Sequence, residues 1–151
     1  NTTETEWTNT TAYRYIRLRG VSGTRSSGSW NNEIEFKVTP LTANATGSFE
    51  GTSITAGAST NKMGAVLTYT DTSGTASLNT DLILDLSADN GSNYNRATLT
   101  ALPDFASGVK CCKVNDLDIT NAGTQLKYKI SFQNQSSGSK ETRVTGVSLQ
   151  Y

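Results

Sequence analysis

Histidine is absent from this 151-residue chain. That excludes Ser-His-Asp and Cys-His catalysis and every metal site that needs an imidazole. Cysteine occurs twice, as the neighbours Cys111 and Cys112. Adjacent Cα atoms lie ~3.8 Å apart, short of the usual disulfide span, and adjacent strand residues face opposite ways. Two free thiols are expected, small strand residues with one of them buried, and no disulfide framework. No apolar run reaches the length of a membrane-spanning helix. An excess of one charge is lacking too, since Lys plus Arg and Asp plus Glu each number 13. Without a basic face, neither nucleic acid nor an anionic membrane is an expected partner. No glycine-rich nucleotide loop occurs. No cofactor, no metal and no enzymatic activity are expected.

In place of these stand threonine, serine and asparagine, more than a third of the chain. Threonine suits exposed strand positions, while serine, asparagine and the 13 glycines suit turns. With only 2 prolines and clear alternation, the composition points to an extracellular type of β protein and away from disorder.

The plainest alternation is in LNTDLILDLSADNGSNYNRATLTA, residues 78 to 101. Leu82, Leu84, Leu86 and Ala88 share one phase; Asp85, Ser87 and Asp89 share the other. That predicts a half-buried strand. Asp89-Asn90-Gly91-Ser92 supplies a turn, and a second alternating run begins at Tyr94, so a hairpin is expected. Further candidate strands are 48–56, 62–71, 80–89, 94–101, 107–119, 124–134 and 141–151. Turn signals lie at Gly57-Ala58-Ser59, Ser73-Gly74, Asn90-Gly91, Asn121-Ala122-Gly123 and Ser136-Ser137-Gly138. Seven strands at this spacing predict an all-β chain, an antiparallel β-sandwich or jelly roll. Its inward set is Val66, Leu82, Leu84, Leu86, Leu99, Val114, Leu126, Tyr128, Ile130, Phe132, Val147, Leu149 and Tyr151. No segment keeps a 3.6-residue period beyond a helical turn near Leu102 to Ala106.

Ahead of this module, 13–19 (YRYIRLR) and 33–38 (EIEFKV) alternate as two strands. Glu33 and Glu35 are placed to meet Arg14, Arg17 and Arg19 across the ladder. Residues 1–38 are too short to be expected to fold alone. Thr39 to Gly47 is small and polar with one proline, a linker, and 48–151 is the sandwich. Because residue 1 is Asn and NTTETEW is polar, the expectation is a processed start or the C-terminal part of a longer chain.

Three features are candidate sites. Asp81 with Asp85, Asp116 with Asp118, and Glu33 with Glu35 are the carboxylate pairs that glycoside hydrolysis could use, although solvent-facing strand positions account for them. Asp89-Asn90-Gly91 carries oxygens for Ca²⁺ but too few for a site, so a turn is expected. Tyr94 beside Asn90, Asn93 and Asn95 combines an aromatic ring with amides, which is what a sugar face or receptor needs. A tyrosine partly buried at a strand start is the plainer account of the same residue.

Two resemblances add to this. YRYIRLRG followed by NEIEFKV, within 13 to 38, resembles the last strands of discoidin-like, galactose-binding-like domains. The ligand loops of that family have no counterpart here, so no binding residue carries over. SGTASLNTDLILDLSADNGSNYNRATLT, then GTQLKYKISFQN and the ending TRVTGVSLQY, is similar to β-rich modules at the C-terminal ends of marine phage tail-fibre and other virion appendage proteins. That resemblance implies a virion structural or receptor-engaging module, extracellular on the particle. It implies a homotrimer in contact with other virion proteins, and a host surface glycan as a partner. A carbohydrate-binding module of a secreted protein is the alternative.

Overall fold

The computed structural model describes residues 44–151. The strands expected at 13–19 and 33–38, with their arginines and Glu33 and Glu35, lie outside the described residues. Seven strands follow in order: β1 (Ala45–Glu50), β2 (Ile54–Ser73), β3 (Leu82–Ser87), β4 (Asn95–Arg96), β5 (Thr100–Ala106), β6 (Val109–Gln135) and β7 (Glu141–Gln150). All pairings between them are antiparallel. The described part is thus all-β, as the alternation predicts.

The 27-residue β6 organises the sandwich. Its first half pairs with β2 on one side and β5 on the other. Its second half pairs with β1 and β3. With β4 on β3 and β7 on β2, one layer runs β4-β3-β6-β1 and the other β5-β6-β2-β7. β1 and β2 together accompany β6 through both layers, from Ala45 opposite Gln135 to Tyr69 opposite Lys110. One core lies between the layers and draws Met63, Ala65, Leu67 and Tyr69 from β2, and Leu82, Leu84 and Leu86 from β3. Cys112, Leu126 and Ile130 come from β6. Burying each leucine contributes roughly 1.5–3 kcal/mol.

Several expectations need correction. The runs at 107–119 and 124–134 are one strand, and Asn121-Ala122-Gly123 is its bend, not a turn. The bend is tight: a Cβ on Gly123 would lie 2.1 Å from the Ala88 carbonyl oxygen. Gly57-Ala58-Ser59 is likewise a shift of register inside β2, between Thr55 and Thr60. Candidate 48–56 is broken at Gly51 to Ser53, and β1 begins at Ala45, within the expected linker. The expected helical turn at Leu102 to Ala106 is strand β5. It is an edge strand, where Pro103 withholds no ladder donor that the sheet needs. Candidate 94–101 pairs with β3 only briefly, at Asn95 and Arg96, before the chain crosses to the other layer as β5.

β3 is buried on both faces rather than one. Leu82, Leu84 and Leu86 enter the core as predicted, with Leu84 directly opposite Ile130 and both fully buried. The other face is covered by polar partners: Arg96 pairs with Asp85, and the following turn folds onto Ser87. In β2 the inward phase is Ala65, Leu67 and Tyr69, so Val66 sits on the opposite phase from the one expected. Tyr151 is exposed, not inward. Both cysteines are free thiols and both are buried, one more than expected.

Candidate binding surfaces

The turn after β3 is built around Ser87. Its hydroxyl donates to Asp89 Oδ1 at 2.7 Å and accepts from the Gly91 N–H at 2.9 Å. Asn90 and Gly91 then take φ of 61° and 81°, which Asn and Gly tolerate best. Asp89 accepts from the Asn93 N–H at 2.9 Å and from the Asn93 amide at 2.7 Å. The Ser87 hydroxyl, then these Asn93 donors, hold the Asp89 carboxyl down to about 2. Its oxygens accept these hydrogen bonds, and they hold the turn closed.

The asparagines expected to present amides around Tyr94 are each committed inside the protein. Asn90 Oδ1 accepts from the Ser53 hydroxyl. Asn93 serves Asp89. The Asn95 amide grips Thr120 at the β6 bend, donating to its hydroxyl at 2.9 Å and accepting from its N–H at 3.2 Å. Tyr94 is half-buried, with the Lys129 ammonium 5.7 Å from its ring centre. Its hydroxyl is buried with no hydrogen-bond partner among the described residues. Burial first, and then the Glu50 carboxylate, push it up to about 12. Glu50 itself is bound by Lys127 at 2.9 Å, which holds it below its usual value. Asn90, Asn93, Tyr94 and Asn95 therefore lie close in sequence but carry out different structural tasks.

Glu33 and Glu35 lie outside the described residues, and the two described carboxylate pairs do not act as pairs. Asp81 accepts from Lys140 Nζ and the Asn134 amide, each at 2.8 Å, and from the Ser77 N–H at 2.9 Å. Lys140 first, then Asn134 and Ser77, hold it down to about 2. Asp85 has its own cation, Arg96, and Asp118 has Lys62 at 2.7 Å. No group of three or more metal-ligating side chains occurs among the described residues.

A second surface lies at a bulge in β6. Met63 stands opposite Leu117 and Ala65 opposite Val114, so Asn115 and Asp116 face Gly64 alone. Asp116 has a φ of 50°, the left-handed conformation that a bulge of this kind uses. Gly64 permits the close approach, since a Cβ there would lie 2.9 Å from the Val114 carbonyl oxygen and 3.2 Å from Gln150 Oε1. Two shallow grooves meet at Asn115 and Asp116. One, of about 530 Å³, is bounded also by Thr98, Thr100, Lys113 and Asp118; the other, of about 350 Å³, by Thr60, Lys62, Gln150 and Tyr151. The sequence singles out Asp116 only as half of a carboxylate pair, and Gln150 not at all. The signal was present: the apolar phase slips from Cys112 and Val114 to Leu117 and Ile119, and that slip marks the bulge.

No helix among the described residues is long and apolar enough to cross a membrane. Compared with protein families, curated proteins and solved structures, the chain matches none.

Proposed function

We propose that the chain is a non-enzymatic module of a phage virion appendage, a tail fibre or a similar part, which serves assembly and attachment to the host surface. The observation that carries the non-enzymatic reading is the commitment of the carboxylates. Asp81 and Asp85 each own a separate cation, and an Asp81 carboxyl held near 2 has no proton to give at neutral pH. Asp118 is exposed and paired with Lys62. None of these resembles an acid and a base poised on opposite sides of a substrate.

Attachment and assembly are supported by the surface. Among the described residues, β1 is exposed along its whole length at the edge of its layer, and Phe49 on it is 42% exposed. Phe105, near the end of the edge strand β5, is 74% exposed. Exposed edges carrying large apolar side chains are what a neighbouring subunit covers. The virion assignment itself rests on the resemblance of 73–100, 123–134 and 142–151 to phage appendage modules. Light scattering of the purified full chain tests the assembly reading. The expected mass is three times the 16.1 kDa of one chain. A strictly monomeric mass at every concentration contradicts it and favours the carbohydrate-binding module of a secreted protein.

A further inference from the structure

We infer that the two grooves meeting at the β6 bulge are a binding site for a neutral sugar, with Asp116 and Gln150 as its hydrogen-bonding centre. The inference rests on the surface-attachment reading and places its contact away from the Asn90–Asn95 turn. Three observations carry it. The first is the state of the polar groups. Among the described residues, the side chains of Asp116, Gln150, Thr98 and Thr100 make no hydrogen bond or ion pair, whereas Asn90, Asn93 and Asn95 are all engaged. Four such groups around one bulge present free acceptors and donors that a polyhydroxylated ligand can use without breaking an internal bond.

The second is charge. The lining holds two carboxylates, Asp116 and Asp118, and two ammonium groups, Lys62 and Lys113. Lys62 and Asp118 already neutralise each other at 2.7 Å. A balanced lining gives no field to hold an anion or a cation, so an acidic sugar gains nothing over a neutral one. The third is form. The grooves are open and shared at Asn115 and Asp116, and Tyr151, 65% exposed, borders the smaller one. A planar ring beside a carboxylate and amides suits the apolar face and hydroxyl edge of a hexose. A carboxylate accepts two adjacent hydroxyls at once, which is the most directional contact available here.

The backbone at the bulge is set by its partners, so the side chain of Asp116 can be removed without rebuilding it. Asp116→Gly keeps the left-handed conformation at no steric cost. Gln150→Ala removes the second group from the exposed end of β7. The experiment is a titration of the full, isotope-labelled chain with methyl glycosides of glucose, galactose and N-acetylglucosamine, followed by amide NMR shifts. N-acetylneuraminic acid serves as the anionic comparison. At least one neutral glycoside is expected to shift Asn115, Asp116, Gln150 and Thr98 or Thr100, with N-acetylneuraminic acid binding no more tightly. Each variant is expected to weaken binding about tenfold while keeping the spectrum of a folded chain. Shifts centred on Asn90 to Asn95, or binding unchanged in both variants, overturn the site and leave surface attachment standing. Absence of any shift with all three neutral sugars also overturns it. A trimeric mass in the light-scattering measurement keeps the assembly reading separate from that failure.

Discussion

Lys140 and Asp81 meet across 59 residues of sequence: the ammonium donates to the carboxylate at 2.8 Å, and the Asp81 side chain is 2% exposed. The same aspartate takes the Asn134 amide and the Ser77 N–H, while the Asp81 carbonyl oxygen accepts the Gln133 N–H. One side chain thus ties the loop before β3 to the turn between β6 and β7. Asn134, at φ 55°, sits in the bulge that brings its amide to this position.

Removing that tie should be costly. Asp81→Ala leaves Lys140, the Ser77 N–H and the Asn134 amide without their acceptor. An unfolding free energy lower by about 2–4 kcal/mol is expected in urea titration. A loss below ~0.5 kcal/mol would show that water replaces the carboxylate freely.

The pH dependence follows in sign from Asp81 and Asp89. Both are held down to about 2, below the ordinary carboxylate value, so the folded state binds fewer protons than the unfolded one. Their stabilisation is fully present above the unfolded value near 4 and is lost as pH falls from there through about 2. Thermal midpoints should be flat from pH 7 to about pH 5 and then decline steadily. The Asp81→Asn variant should decline less steeply over the same range. Identical slopes in both would contradict the assignment.

The β6 bend depends on Gly123. A Cβ there would meet the Ala88 carbonyl oxygen at 2.1 Å, whereas one on Gly47 meets nothing within 4 Å. Gly123→Ala should therefore cost roughly 1–3 kcal/mol by overpacking, and Gly47→Ala close to nothing. Equal effects of the two in denaturant titration would argue against a tight bend.

Core packing gives a further number. Leu84 and Ile130 are fully buried partners on adjacent strands. Leu84→Ala should lower unfolding free energy by about 2–5 kcal/mol, measured in the same way.

The cysteines should be silent in the folded chain. Cys111 and Cys112 are free and buried, and burial pushes the Cys112 thiol up to about 11. Because the thiolate is the reacting species, a colorimetric thiol reagent at pH 8 should find none until denaturant is added, then both. Rapid native reaction of either would place it at the surface.

Much of the fold was legible. Leu82, Leu84, Leu86 and Ile130 alternate cleanly, and the core forms on that phase. What alternation hides is where a strand bends without ending. Asn121-Ala122-Gly123 carries the same residue types whether the chain reverses or turns a corner, and only the partner strands decide. The phase slips in β6, from Val114 to Leu117 and again from Ile119 to Leu126, record the bulge and the bend. The burial of Asp85 and Ser87 was not legible, because Arg96 and the turn that cover them come from later in the chain. The amides of Asn90, Asn93 and Asn95 suggested a ligand surface for the same reason: composition shows donors and acceptors, not whether the fold has already paired them. Gln150 and Asp116 reach one surface only through the pairing of β7 and β6 on β2.

We propose that this chain works inside a symmetric virion appendage. Electron cryomicroscopy of the native particle that carries it tests that most directly. Density for three copies related by closed rotational symmetry is expected, with neighbours covering exposed edges such as β1 and at least ~1,000 Å² buried between copies. A chain found as an isolated monomer, making only small contacts, would contradict that assembly.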